Sequence, residues 1–168
     1  ASLTVEKKGD HLFLDFTGTS PENMSSYNAH VQAAVGHLAN YIYSYIFHDL
    51  PISSASFVPI DCYFPPGSVL NPDNRAATSC SVMICTGIMS AAPNSFAKMI
   101  FGTQDWTRVV AASANAGNAM VVAGLSQWGL PFADMLAYSL NTDGQGGRPT
   151  SPGMDASHFA WCPFGRSP

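Results

Sequence analysis

The architecture of this chain follows from residues 11–21, His11-Leu12-Phe13-Leu14-Asp15-Phe16-Thr17-Gly18-Thr19-Ser20-Pro21. Apolar residues occupy alternate positions in the first half of this segment, namely Leu12, Leu14 and Phe16. Such period-two spacing is typical of a strand with one buried face. Leu3 and Val5 alternate in the same way upstream, and Gly9 lies between the two runs. The pattern predicts an N-terminal β-hairpin that ends where the Thr and Gly residues begin.

A helical pattern follows between Ala29 and Phe47, and Pro51 ends it. Its apolar residues recur at helical spacing along one stripe: Val31, Ala34, Val35, Leu38, Tyr41, Ile42, Tyr45 and Ile46. The opposite face carries no charge and presents Gly36, Asn40, Tyr43 and Phe47. We therefore expect this helix to pack on both sides, with one side against another domain or another chain.

The rest of the chain predicts strands and helices in mixed order. We predict strands at Phe57–Phe64, Trp106–Ala114 and Ala119–Leu125, and helices at Thr78–Ala91 and, beyond Pro93, at Asn94–Phe101. Residues 65–74 predict a loop, Leu130–Leu140 is ambiguous, and Gly and Pro dominate from Asn141 onward. This order favours an α+β fold with a mixed sheet and packed helices, and a mixed α/β sheet is the alternative. Residues 1–168 form either a single domain or an internal piece of a larger subunit.

Ionic side chains are scarce. They make up 11% of the residues, against roughly 25% in an average soluble domain. None occurs between Glu22 and Asp49, and none from Val109 to Ala133. Because depletion of charge marks the core of protein interfaces, we expect other domains or subunits to cover much of this surface. An oversized core rich in Ala and Gly is the alternative.

The same composition disfavours several classes of protein. A net charge of −4, with no basic cluster beyond Lys7-Lys8, argues against nucleic acid as a partner. No apolar run reaches about eighteen residues, so no membrane span is predicted, and no secretory signal is visible. The four cysteines have irregular spacing, which favours reduced thiols in a cytoplasmic protein over a disulfide framework.

Few residues suggest chemistry by spacing alone. His30, His37 and His48 return to nearly one helix face, but a rise of about 1.5 Å per residue separates them too far to share one metal ion. Any one of them could still join ligands from elsewhere. Asp155 and His158 are a weaker acid–base pair in a Gly/Pro-rich tail. The chain contains no GxxxxGK[ST], GxGxxG or GxSxG pattern, so no nucleotide site or nucleophile elbow is predicted.

Two longer motifs carry a family resemblance. Asp15-Phe16-Thr17-Gly18-Thr19-Ser20-Pro21 and Pro65-Pro66-Gly67-Ser68-Val69-Leu70-Asn71-Pro72 resemble segments of the B-type subunit of the ATP-dependent hydantoinase, 5-oxoprolinase and acetone/acetophenone carboxylase superfamily. The second motif has Pro66 where that family usually has Glu. A looser similarity lies at Asn141-Thr142-Asp143-Gly144-Gln145-Gly146-Gly147.

The resemblance implies a role within a hetero-oligomeric complex. An A-type subunit would bind ATP and phosphorylate a carbonyl or bicarbonate oxygen, and the B-type subunit would complete ring opening or carboxylation of a small-molecule substrate. The complete complex would use a divalent metal, but the family's metal motif is not found in this chain. The chain alone would bind no cofactor, and the ligands of the metal would lie on the remainder of the B-type subunit or on another chain.

We therefore predict part of a cyclic-amide hydrolase or a ketone carboxylase, and we expect the isolated chain to be inactive. The candidate catalytic residues are the family-pattern positions Asp15, Thr17, Thr19, Asn71 and Asp143. Most of these would have structural roles. The alternative function is a non-catalytic scaffold module within a multi-subunit complex.

Overall fold

A computed structural model describes residues 1–111, 119–137 and 146–153. Its N-terminal half is built on a three-stranded sheet of β1 (Thr4–Lys8), β2 (His11–Asp15) and β3 (Ile60–Tyr63). β1 and β2 form the predicted antiparallel hairpin, and β3 pairs parallel to β2. The sheet is therefore mixed, and the predicted α+β class is confirmed.

Two helices, α1 (Val31–Tyr45) and α2 (Ser81–Phe101), pack against each other and complete the core. The inward face of the sheet contributes fully buried side chains, such as Leu14 and Phe16. α1 buries the predicted stripe through Ala34, Leu38, Tyr41 and Ile42. The helical period of the apolar residues thus determines which face of α1 meets the core.

The opposite side of α1 is partly covered by the chain itself. The ring of Tyr43 lies 6.4 Å from that of Phe47 and 6.1 Å from that of Phe57. The Tyr43 hydroxyl also bonds Ser56 Oγ at 2.9 Å. The segment after Pro51 therefore leaves Tyr43 and Phe47 half-buried. Our expectation that another domain or chain lies against this side stays a prediction.

The structure of α2 corrects one prediction. The sequence predicts two helices separated at Pro93, whereas the structure has one continuous helix with Pro93 inside it. Residues buried on both sides of the proline hold the helix to the core: Cys85, Ile88, Met89, Ala92 and Phe96. Tertiary packing here outweighs the local cost of proline.

Two predicted strands also differ. The strand expected at Phe57–Phe64 begins only at Ile60, since a 3₁₀ turn occupies Ala55–Phe57 and Pro59 lacks an amide donor. Trp106–Arg108 is a 3₁₀ turn rather than the start of a strand, and that prediction is wrong for the residues described there.

The remaining described strands, β4 (Ala119–Leu125) and β5 (Pro131–Ala137), form a separate antiparallel hairpin. The predicted strand at Ala119–Leu125 is confirmed, and the ambiguous segment after Leu130 is largely a strand. Neither helix in the described part of the chain has the length and hydropathy to span a bilayer.

Candidate functional site

The Asp15 carboxylate organises the bend that ends β2. Its Oδ1 accepts hydrogen bonds from the Thr17 amide at 2.8 Å and from the Thr17 hydroxyl at 2.6 Å. These two bonds, the hydroxyl's first, lower the pKa of the Asp15 carboxyl below its ordinary value. Gly18 follows with a φ of 88°, a left-handed conformation that favours glycine. The Asp-x-Thr-Gly order is thus explained by the geometry of the turn.

Thr19 connects this bend to the N-terminal residues. Its Oγ1 accepts a hydrogen bond from the Ser2 amide at 3.2 Å and lies 3.4 Å from the Ser2 carbonyl oxygen. The Thr19 amide donates to the Phe16 carbonyl at 3.1 Å and closes the turn. The Thr19 side chain therefore engages backbone of the same chain.

Asn71 holds the loop of the second motif in the same way, through hydrogen bonds to backbone groups. Its Nδ2 donates to the Phe64 carbonyl at 3.0 Å, and its own carbonyl accepts from the Gly67 amide at 2.9 Å. Gly67 has a φ of 74°. The loop encloses Ser68, whose Oγ is the one buried side-chain N or O atom without a hydrogen-bond partner among the described residues.

The two motifs lie side by side, which sequence separation alone does not reveal. The Val69 amide donates to the Ser20 carbonyl at 3.0 Å, and the Glu22 amide donates to the Gly67 carbonyl at 2.8 Å. Beneath them the rings of Phe16 and Phe64 stack with centroids 4.5 Å apart. The structure therefore brings Asp15, Thr17, Thr19 and Asn71 into one braced region.

A buried asparagine that sequence reasoning missed completes this region. Asn28 is fully buried. Its Oδ1 accepts from the Asn23 amide at 3.0 Å, and its Nδ2 donates to the carbonyls of Asn23, Ser25 and Ala77 at 2.9, 2.9 and 3.1 Å. The sequence signal was present, since Asn28 precedes the apolar helix within an uncharged stretch, but composition does not distinguish it from an exposed loop residue.

An open groove of about 610 Å³ lies between the two motifs and α2. One wall contains the residues that follow the Asp15 bend together with Val69 and Leu70 from the second motif. The first turns of α2 supply Met83, Ile84 and Thr86. Both family motifs border this groove, and its walls are mostly apolar. Glu22 is among the lining residues, and its Oε2 accepts a hydrogen bond from the Asp73 amide at 2.6 Å.

The other sequence candidates lie apart from this region or outside the described residues. Asp143, Asp155, His158 and Cys162 are not within the described ranges. Within those ranges, no group of three or more His, Cys, Asp or Glu side chains is placed to hold a metal ion. His37 Nδ1 bonds the Ala33 carbonyl at 2.9 Å on its own helix.

The described thiols are suited to packing. Burial raises the pKa of Cys85 to about 12. Burial, with a smaller effect of Asp61, raises that of Cys62 to about 11. Both thiols are therefore protonated at neutral pH, which disfavours them as nucleophiles.

The whole α+β domain has a counterpart in a solved carboxylase. The nucleotide-free structure of acetone carboxylase matches it with a TM-score of 0.77 over 96% of this chain and 21% of that chain. The two sequences are 22% identical over this match, so the similarity shows a common fold.

The chain belongs to the hydantoinase B/oxoprolinase family, whose model matches residues 1–166. The resemblance stated from the two motifs is thereby confirmed. The delta subunit of acetophenone carboxylase from Aromatoleum aromaticum is 58% identical over 166 residues, which cover 99% of this chain and 24% of that subunit. 5-Oxoprolinase 1 of Arabidopsis thaliana is 29% identical over 75 residues, 45% of this chain and 6% of that protein. The chain thus spans about a quarter of the acetophenone carboxylase subunit.

Proposed function

We propose that this chain is a segment of the B-type subunit of an ATP-dependent ketone carboxylase that acts on an aromatic ketone. The observation that carries the proposal is the 58% identity to the acetophenone carboxylase delta subunit over 99% of the chain. The similarity to 5-oxoprolinase 1 extends over only 45% of the chain, at 29% identity. A ketone is therefore favoured over a cyclic amide as the substrate.

The proposed division of labour assigns phosphoryl transfer to a partner. An A-type subunit binds ATP and transfers its terminal phosphoryl group to a carbonyl or bicarbonate oxygen, which releases ADP. On the B-type subunit the α-carbon of the ketone loses a proton and bonds the carboxyl carbon, and the phosphoryl group is released as phosphate. The described residues of this chain do not fit a metal ion, since they contain no suitable cluster of ligands. We assign the metal of the complete complex to other segments of that complex.

Within this proposal, the described residues line the part of the B-type subunit's carboxylation site that holds the ketone. The groove beside the motifs offers apolar contacts to an aromatic ring from the half-buried Met83 and Ile84, with Val69 at its floor. The hydrogen bonds of Asp15 and Asn71 hold the two motif segments that form one wall. These residues then act as positioning residues rather than as groups that exchange protons with the substrate.

A reconstituted complex tests the proposal. The full-length polypeptide, combined with its A-type partner, is expected to fix ¹⁴C-bicarbonate into a β-keto acid only when ATP and acetophenone are both present. Reduction with borohydride before acidification prevents the loss of the label as CO₂. Hydantoin and 5-oxoproline serve as alternative substrates. ATP-dependent ring opening of either one, without fixation of bicarbonate on the ketone, would show that the enzyme is a cyclic-amide hydrolase.

The scaffold function is kept as a second candidate because of one observation. Asp15 Oδ1, Thr19 Oγ1 and Asn71 Nδ2 all bond groups of their own chain. Side chains engaged in this way brace a fold without needing a substrate. Kinetics of a groove variant, described in the Discussion, distinguish the two functions.

A further inference from the structure

The hairpin of β4 and β5 carries the largest set of exposed apolar side chains near one turn among the described residues. Trp128 is 76% exposed, and its neighbours Leu125, Leu130 and Phe132 are 70%, 64% and 46% exposed. We call these four residues the hairpin tip. In the described part of the chain, β4 and β5 pack extensively only on each other.

The hairpin tip is held in shape by its own turn. The Ser126 amide donates to the Leu130 carbonyl at 2.8 Å, and the Gly129 amide donates to the Ser126 carbonyl at 2.9 Å. Ser126 Oγ also accepts from the Leu130 amide at 3.2 Å. Gly129 has a φ of 71°, which glycine adopts without strain. Because the turn is already ordered, little further entropy is lost when the tip is covered.

The composition of the hairpin tip favours binding to an apolar protein surface. Residues 109–133 contain no Asp, Glu, Lys or Arg, so charge does not guide recognition there. Trp is enriched among interface residues that contribute most to binding, and it is flanked here by two Leu side chains. An isolated two-stranded hairpin is at best marginally stable in water. A permanent cover is therefore favoured over an occasional partner.

We propose that the hairpin tip is seated in an apolar pocket formed by another part of the same B-type polypeptide. This chain corresponds to 24% of the acetophenone carboxylase delta subunit, so most of such a polypeptide is available as a covalently linked cover. A cover within one polypeptide is permanent, as the marginal hairpin requires. The inference rests on the chain being a segment of a larger B-type subunit, and it does not depend on the ketone.

Hydroxyl-radical footprinting of the full-length polypeptide, without its A-type partner, tests the proposal. We expect Trp128 and Leu130 to be oxidised at least about tenfold more slowly than in the urea-unfolded protein, as for a side chain exposed only by opening. Leu14, which is fully buried, is the internal control and should be protected at least as strongly. Labelling of Trp128 near its unfolded rate would overturn the proposal. Protection that requires the A-type subunit, or that rises with protein concentration, would overturn it equally by placing the pocket on another chain.

A pair of variants gives a second readout. Trp128→Ser is expected to lower the melting temperature of the full-length polypeptide, whereas Gln127→Ser, at an exposed polar position of the same turn, should leave it nearly unchanged. Equal melting temperatures for Trp128→Ser and the wild type would contradict the proposal that Trp128 is buried in an apolar pocket. A wild-type protein that protects Trp128 but does not carboxylate ketones would refute the proposed substrate and leave this inference standing.

Discussion

Asn28 shows how a single buried polar side chain can hold a functional region together. Its amide satisfies backbone groups of residues 23–25 and of Ala77, which lie far apart in sequence. Such a group stabilises only if all its partners are present, since a buried unpaired amide or carbonyl is costly. The segment after the first motif is therefore fixed to the loop that precedes α2.

Replacement of this residue should be strongly destabilising. Asn28→Ala removes four hydrogen bonds that a fully buried side chain makes to backbone groups, and we expect the free energy of unfolding to fall by about 1–3 kcal/mol. Urea denaturation measures the change, and Asn74→Ala, at an exposed position, is the matched control. A loss equal to that of the control would mean that water replaces the amide without cost.

The hydrogen bonds in the Asp15 bend predict how the pKa of the Asp15 carboxyl responds to substitution. The two bonds from Thr17 favour the ionised carboxylate, so Thr17→Val, which removes the hydroxyl, should raise the pKa of Asp15 toward its ordinary value. Thr103→Val removes an exposed hydroxyl elsewhere and should leave this pKa unchanged. Carbon-detected NMR titration measures both.

The sign of the effect on stability follows from the same linkage. Because the folded-state pKa is the lower one, the Asp15 bonds stabilise the fold above the unfolded pKa, near 4, and this stabilisation is lost as pH falls through the folded pKa. The difference in stability between wild type and Thr17→Val should therefore shrink below about pH 4. A difference that grows in acid would contradict this account.

At the scale of elements, α2 illustrates packing that overrides propensity. Pro93 lies inside the helix and cannot donate a backbone hydrogen bond. Buried residues before and after it hold the helix in place, and the ring of Phe96 lies 5.9 Å from that of Tyr41 on α1. The helix pair thus forms in spite of the local sequence.

This balance predicts a stabilising substitution. Pro93→Ala adds a donor to the helix and removes a ring clash, so the free energy of unfolding should rise by about 1–3 kcal/mol. Thermal unfolding measures the shift, and Ala97→Pro, one turn further on, should destabilise strongly. A lower melting temperature for Pro93→Ala would show that the proline sets a bend that the contact between Tyr41 and Phe96 requires.

At the scale of the whole molecule, the groove distinguishes substrate binding from a scaffold role. Thr86→Trp places a large side chain in the groove, because Thr86 is a half-buried residue of the groove wall on α2. If the ketone binds there, KM for acetophenone in the complete complex should rise about tenfold, a loss of about 1.4 kcal/mol. Thr103→Trp, which does not line the groove, is the control.

The scaffold role predicts a different result for the same variant. Kinetic constants for the ketone would then match those of the wild type, and the variant would change only assembly with other subunits, measured by size-exclusion chromatography. A change in assembly without a change in KM would therefore remove the groove from the substrate site.

The sequence by itself determined the hairpin, the buried stripe of α1 and the family, because each depends on short-range patterns. Strand alternation in residues 11–16 and the helical period of α1 act over one element at a time. The Asp-x-Thr-Gly order similarly supplies, within four residues, the hydrogen bonds that form its turn. Local patterns of this kind can be read from the sequence without knowledge of the fold.

Only the tertiary structure decided how distant segments meet. The bonds from Val69 to Ser20 and from Glu22 to Gly67 join motifs about fifty residues apart, and no local pattern encodes that contact. The same holds for the buried Asn28, for the continuous α2 through Pro93, and for the cover over Tyr43. In each case, the free energy of burying side chains among several elements outweighs the preference of any one segment.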